Sequence, residues 1–362
     1  MAQPSSITDY LSRRRDLVVQ QIQGLIPRDQ RHTGGLYELM LDYPLRAGKA
    51  IRPALSIAVC RGAGGALSQV LPTAAVLELY HNAFLVHDDV EDNSEKRRHE
   101  STLNRLHGTP TAVNVGDGML ALAIQPLLDN IAIIGLGKSL KILRLVSRMA
   151  RETAEGQMLE LDWIRRNEWR HTDTDYIRLV HKKTSWYSFI SPMIVGAISA
   201  GLSERETAQI GRAAIPLGIA FQIQDDILNL ESDAEGYGKD YCGDLAEGKH
   251  TLILIHALRH ASVDERDEAL RILGKPQAPS TASPIQADGS ANEASAARTA
   301  DEIRFLRELI ERRGSIAYAR LVAGRYAERF AHSIENIVRH WPESEHRDFL
   351  IGLGTFTVHR AH

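Results

Sequence analysis

A chain of 362 residues, 43% hydrophobic and 25% charged, can bury a large core as one big domain or two. Its formal net charge of −3 argues against general affinity for nucleic acid or acidic membranes. Two cysteines, Cys60 and Cys242, make no disulfide framework, which fits a reducing interior and a cytoplasmic location.

The start, Met1-Ala2-Gln3-Pro4-Ser5-Ser6, lacks the basic and apolar segments of a secretory signal. No run of about 18 apolar residues suggests a transmembrane segment. Residues 7–26 carry Ile7, Tyr10, Leu11, Leu17, Val18, Ile22 and Leu25 as an apolar helical stripe. A polar break over Asp29 to Gly35 precedes Leu36 to Leu45, which leads into Arg46-Ala47-Gly48-Lys49-Ala50-Ile51-Arg52-Pro53. Gly48 lets the backbone turn there, and Lys49 and Arg52, three apart, present cations on one side. Helix continues over Ala54 to Cys60 and ends at Gly62-Ala63-Gly64-Gly65. Pro72 is expected to open the next helix, on which His81, Leu85, Asp88 and Asp92 share one face.

That helix ends in Asp88-Asp89-Val90-Glu91-Asp92-Asn93-Ser94-Glu95-Lys96-Arg97-Arg98. Asp88 and Asp92, at i and i+4, point the same way with Cβ atoms about 5–6 Å apart. Carboxylates held so close repel unless a cation lies between them. Oxygen-only ligands on a short rigid spacing suit Mg²⁺, which completes its shell with water and substrate phosphate. Arg97 and Arg98 could then hold phosphate bidentately. The pattern recurs at Phe221-Gln222-Ile223-Gln224-Asp225-Asp226-Ile227-Leu228-Asn229. A lone buried carboxylate costs several kcal/mol unless paired or metal-bound, and neither helix offers a matching cation beside its Asp pair. Two facing Asp clusters holding metal is the reading these positions favour.

Between and beyond the clusters, helices are expected over 111–135, 139–165 (with Gly156-Gln157-Met158-Leu159-Glu160-Leu161), Tyr176 to Gly196 (with Lys182-Lys183-Thr184) and Glu204 to Leu230. Gly236 to Lys249 reads as a basic loop able to close over a phosphate. Residues 274–300, rich in Pro, Ser and Ala, read as a disordered insertion in a single 1–362 domain. Asp301 to Ile337 is helical again, and a last helix begins near Glu345. With no persistent strand alternation, the fold class is all-α.

The two Asp clusters, their order and their basic partners together resemble the trans-isoprenyl diphosphate synthases of the polyprenyl synthetase family, nearest to geranylgeranyl diphosphate synthases. The likeness runs from about residue 36 to 260 and more loosely to the C-terminus. It implies a helical bundle of the isoprenoid synthase type with a central cavity. It also implies Mg²⁺, about three ions per site with Mn²⁺ able to substitute, held by Asp88, Asp89, Asp92, Asp225, Asp226 and Asn229. Lys49, Arg52, His81 and Arg98 match the family's isopentenyl diphosphate pocket. Arg97, Lys183, Thr184, Gln222, Lys239 and Lys249 match the clamp for an allylic diphosphate (dimethylallyl, geranyl or farnesyl). Tyr80, Ala83 and Phe84 match the chain-length floor, where alanine at 83 is expected to open room for a twenty-carbon product. A homodimer is a further family expectation. Ala47, Ala50 and His99 depart from the family pattern, His99 standing where a Gly follows the two Arg. A farnesyl or longer-chain synthase, a class I terpene cyclase, or a non-catalytic synthase subunit are the alternatives.

Overall fold

Apolar residues at a 3.6-residue period drive helix formation, and nearly all of the described chain is helix. The computed structural model describes residues 4–27, 33–231, 242–275 and 298–360. Helices α1 (Pro4–Leu25), α2 (Leu36–Leu45) and α3 (Ile51–Gly62) lead to α4 (Leu67–Glu91), which bears the first Asp pair in its last turn. The helix starts five residues before Pro72, because the Gln69 side chain accepts the Ala66 N–H at 2.8 Å and caps the earlier turn.

A short antiparallel hairpin follows, β1 (Lys96–Arg97) paired with β2 (Glu100–Ser101). Strands of two residues leave no alternation to read in a sequence. Next come α5 (Leu103–His107), α6 (Thr109–Leu122), α7 (Ile124–Ile134) and α8 (Leu136–Arg166). The one helix expected over 111–135 is broken at Ala123, since Pro126 can neither donate to nor clear the carbonyl of Leu122.

After α9 (Asp173–Val180), capped by the Thr172 hydroxyl, the chain winds as a π-helix over His181–Ile190 before α10 (Ser191–Ala200). A single helix was the expectation here. Pro192 cannot donate to the carbonyl four residues back, and wider turns of this kind recur at functional sites. The second Asp pair lies on α11 (Glu204–Glu231). The remaining helices are α12 (Gly243–Glu247), α13 (Leu252–His260), α14 (Val263–Leu273), α15 (Ala300–Arg312), α16 (Ser315–Val338) and α17 (Glu345–His359). The helix expected over 301–337 is split at Gly314, whose φ of 61° ends α15. Residues 276–297 of the expected insertion lie outside the described residues.

The π-helix packs against α8 and α11, and α4 against α3 and α6. Two glycines permit the closest approaches: a Cβ on Gly156 of α8 would collide with the Lys183 backbone, and one on Gly218 of α11 with Ser185. Between α4, α8, the π-helix and α11 lies a cavity of about 660 Å³, in the size range of small-molecule sites.

Thr109–Ile134, spanning α6 and α7, has a mean hydropathy of 1.4 over an 18-residue window, enough by length and composition to cross a membrane. Only 28% of that window is buried, and Ile124, Leu128, Ile131 and Ile133 are exposed.

Candidate active site

In both Asp pairs the second carboxylate accepts a tyrosine hydroxyl, but the pairs differ in access: Asp88, Asp225 and Asp226 border the cavity, and Asp89 does not. On α4, Asp88 lines the cavity. Asp89 is fully buried, accepting from Tyr43 Oη at 2.6 Å and from Arg97 Nε at 3.0 and 3.1 Å. On α11, Asp225 lines the cavity, while buried Asp226 accepts from Tyr176 Oη at 2.6 Å and from Gln222 Nε2 at 2.9 Å. The expectation that no cation stands beside either pair is therefore wrong: Arg97 reaches Asp89, Lys183 reaches Asp88 and Arg360 reaches Asp225, all from other elements. The β1–β2 hairpin folds Arg97 back onto Asp89, a tertiary contact that helix periodicity cannot reveal. Both oxygens of Asp89 are engaged by Arg97, and one also by Tyr43.

The acidic end is larger than the two motifs. Lys183 Nζ bonds to Glu160 and lies 3.3 Å from Asp88 Oδ1, and Gln157 Nε2 lies 3.3 Å from the same oxygen. Lys249 Nζ donates to Asp92 Oδ2 at 2.8 Å and sits 2.5 Å from Glu247 and 3.8 Å from Asp244. Gln157, Glu160, Asp244 and Glu247 carry no assignment from the sequence; the first two come from α8 by packing, and the last two stand just before Lys249. Lys239 lies outside the described residues.

Asn229 also departs from expectation. Its Oδ1 accepts the Asp244 N–H at 3.2 Å, and it does not border the cavity. The residue thus anchors α12, and the carboxylate that reaches the cavity is that of Asp244.

Charge crowding marks this end. Burial and then repulsion from Asp88 push Asp92 up, against the pull of Lys249. Burial and repulsion from Asp244 and Asp225 hold Asp226 far above the ordinary carboxyl range. Burial, with Asp92 and Asp244 nearby, pushes Glu247 up to about 7. Burial pulls Lys183 and Lys249 down, but the surrounding carboxylates outweigh it and leave both raised and cationic. Among the described residues no three His, Cys, Asp or Glu side chains close on one point. The donors are instead an open, all-oxygen set with two lysines filling the gaps. That fits a hard divalent cation sharing its shell with water and phosphate, and does not fit a closed protein cage.

The opposite wall is basic. Arg52 Nη2 donates to Ser188 Oγ at 2.7 Å, and its guanidinium lies 4.5 Å from the centroid of the Tyr187 ring. Arg98 Nη1 donates to the Tyr43 carbonyl at 2.8 Å, and a Cβ on Gly48 would collide with its guanidinium. His81 is buried with Nδ1 unpartnered, held neutral by burial and by Arg52 and Arg98. Two further residues join this wall without a sequence signal: Glu78, and Arg360 near the C-terminus, whose Nη2 lies 3.2 Å from Asp225 Oδ1. Burial and then Arg360 bring Lys49 down to about 8. Thr184 Oγ1 donates to Gln222 Oε1 at 2.8 Å.

Below both ends, Tyr80, Phe84 and Tyr187 form an aromatic floor, with edge-on centroid separations of 5.9 Å (Tyr80–Phe84) and 5.5 Å (Phe84–Tyr187). Ala83 is not part of it. It is fully buried with Met40, Tyr43, Val86 and Met119 in a core cluster and does not border the cavity, so it opens no lane beside Phe84.

Comparison with known proteins agrees with this geometry. Residues 35–286 match the polyprenyl synthetase family. A geranylgeranyl pyrophosphate synthase of Geoglobus acetivorans is 30% identical over 98% of this chain and 100% of its own length. An octaprenyl diphosphate synthase of Haemophilus influenzae is 29% identical over 96% of this chain and 99% of its own. A crystal structure of a polyprenyl synthase from Caulobacter crescentus CB15, complexed with calcium and isoprenyl diphosphate, superposes with a TM-score of 0.82 at 26% identity, covering 99% of this chain and 98% of that one. A cavity walled by two aspartate helices, a fold shared across whole chains and a match over most of the sequence make this chain a member of the polyprenyl synthetase family, a prenyltransferase of isoprenoid biosynthesis.

Proposed function

We propose that the enzyme joins isopentenyl diphosphate to an allylic diphosphate in a head-to-tail condensation, with geranylgeranyl diphosphate as main product. The observation that carries this reading is one cavity with an acidic end and a separate cationic wall, which suits two diphosphates bound in different ways. A terpene cyclase, handling one diphosphate, has no use for the wall of Lys49, Arg52, His81 and Arg98. The twenty-carbon product is supported by the Geoglobus relative and by the aromatic floor.

Mg²⁺, three ions in the reading favoured here and replaceable by Mn²⁺, would be held by Asp88, Asp92, Asp225 and Asp226, with Asp244 at the same end, and would neutralise the departing diphosphate. Lys183 and Lys249, released from their carboxylates, add positive charge aimed at the same leaving group. The allylic carbon–oxygen bond breaks and its electron pair leaves with the diphosphate. Thr184 donates its hydroxyl hydrogen bond to Gln222 Oε1, so it offers the cavity lone pairs, which suit a cationic carbon. Lys49, Arg52, His81 and Arg98 hold the second diphosphate so that its double bond faces that carbon, which is catalysis by positioning. The new carbon–carbon bond forms from the double bond, and the released diphosphate takes the proton that restores an alkene. Phe84 and Tyr187 keep water from the cation. Buried free thiols at Cys60 and Cys242 support a reducing, cytoplasmic setting.

Incubation with Mg²⁺, isopentenyl diphosphate and an allylic diphosphate, followed by mass spectrometry, tests the reading. An elongated prenyl diphosphate should form only when both substrates are present and should vanish with chelator. A hydrocarbon or alcohol from the allylic substrate alone would point to a cyclase, and no product at all to a binding subunit.

Lys49 gives a pH prediction. Lys49 is cationic only below its lowered value of about 8. The kcat/KM for isopentenyl diphosphate, which reports the free enzyme, should therefore fall as pH rises through about 8. Lys49→Arg should remove that fall, because arginine stays charged. A flat profile in the parent enzyme would take Lys49 out of the diphosphate pocket.

The exposed apolar row on α7 and α8 (Ile124, Leu128, Ile131, Leu136, Leu140 and Leu143) supports a homodimer through this face. Leu128→Asp with Ile131→Asp is expected to halve the mass measured by light scattering. An unchanged mass would place the interface elsewhere.

A further inference from the structure

Arg46, at the end of α2, is only 5% exposed and does not border the cavity. Its guanidinium spans both strands of the hairpin: Nη1 donates to the Arg97 carbonyl at 3.0 Å and Nη2 to the Ser101 carbonyl at 2.8 Å. Nε lies 2.7 Å from Asp42 Oδ1, and the group stacks 4.5 Å above the Tyr43 ring. A buried arginine with this many partners is fixed in place, and it fixes what it holds.

What it holds needs holding. The two residues at the tip of the hairpin, Arg98 and His99, both have left-handed backbone, with φ of 54° and 68°. Each such residue with a Cβ costs roughly 1–2 kcal/mol relative to its ordinary conformations. Two strands of two residues each supply little pairing to offset that. Yet this tip carries one of the arginines facing the cavity, and Arg97 beside it carries the other.

We propose that Arg46 is a positioning residue: it fastens the strained Lys96–Ser101 hairpin to α2 and thereby sets the aim of Arg98 at the second diphosphate. Arg97 depends on it less, because Asp89 on α4 holds that side chain. The anchors of Arg98, the Tyr43 and Arg46 carbonyls at 2.8 and 3.5 Å, belong instead to the same end of α2 as Arg46. The catalytic consequence rests on the reading of Arg98 as an isopentenyl diphosphate ligand; the structural consequence does not.

The test compares Arg46→Ala and Arg46→Lys, each with and without His99→Gly, by steady-state kinetics with each substrate varied separately. Amide hydrogen exchange over residues 95–102 is measured on the same proteins. Lysine keeps the charge but cannot span two carbonyls, so both variants should raise the KM for isopentenyl diphosphate by roughly ten- to a hundredfold, with a much smaller change for the allylic substrate. Hairpin amides should exchange faster in both. His99→Gly frees one strained position and should recover a large part of the lost affinity in Arg46→Ala. A destabilised fold without a positioning role would raise both KM values together and show no rescue, which would overturn the proposal. Should the parent enzyme show no prenyl transfer, the functional reading fails, and hydrogen exchange still decides the fastening: unchanged exchange in Arg46→Ala would refute it.

Discussion

Asp88→Asn and Asp225→Asn are each expected to lower kcat by roughly two to three orders of magnitude while leaving thermal unfolding nearly unchanged. Both carboxylates border the cavity at the end where Lys183, Lys249 and the other acidic residues gather. In the proposed reaction they act on the leaving group through the cations they hold, so their loss should appear in kcat more than in binding of the ground state. The amide keeps the side chain's shape, which spares the packing. Asp89→Asn should behave in the opposite way. Removing one partner of a buried ion pair costs about 3–5 kcal/mol because the other charge is stranded, and here the stranded group is Arg97 with only 6% exposure. Unfolding by heat or denaturant, run beside initial rates, separates the two classes. Asp88→Asn with near-parental turnover would remove the metal-holding role from α4.

Phe84→Ala is expected to shift the product distribution to chains at least one isoprene unit longer than the parent's. Phe84 lies one helical turn before Asp88, so its ring sits directly below the reacting end on the path of the growing tail. The ring meets Tyr80 and Tyr187 edge-on, closing the floor. Truncation leaves an opening of about the bulk of one isoprene unit, with Tyr80 as the next stop. Ala83→Phe is a different case. Ala83 is fully buried between α4 and its neighbours, away from the cavity, so the added ring overpacks a core at a cost of about 1–3 kcal/mol. Its signature is a lower unfolding midpoint rather than a shorter product. Mass spectrometry of extracted products from both variants decides the matter; an unaltered distribution from Phe84→Ala would mean the tail runs elsewhere.

The helical architecture, the two Asp clusters and the basic residues around Gly48 are legible in the sequence because helix periodicity alone puts them on particular faces. Asp88 and Asp225 fall on the cavity as spacing implies. What spacing cannot show is which partner anchors the second member of each Asp pair. That is settled by Tyr43 and Tyr176, each distant in sequence from the carboxylate it holds. The same limit hid the ion pair of Arg97 with Asp89, formed only because a hairpin reverses the chain, and the hydrogen bond of Asn229 to the Asp244 backbone. Ala83 misleads for a related reason: a neighbour of Phe84 in sequence points about 100° away around a helix. The π-helical winding over Lys183 and Thr184 is packed closely against Gly156 and Gly218, contacts that need the packed structure to be seen.

The central claim is that one cavity takes two diphosphates, one through carboxylate-held cations and one through side-chain charge alone. Equilibrium binding of isopentenyl diphosphate and of an unreactive allylic diphosphate analogue, each with Mg²⁺ and with excess chelator, tests it most directly. Isopentenyl diphosphate should bind with nearly the same affinity in both conditions and lose it in Arg52→Ala. The allylic analogue should lose most of its affinity with chelator and in Asp88→Asn, while Arg52→Ala leaves it largely intact. Equal dependence of both ligands on the metal, or of both on Arg52, would contradict the assignment of two separate sites.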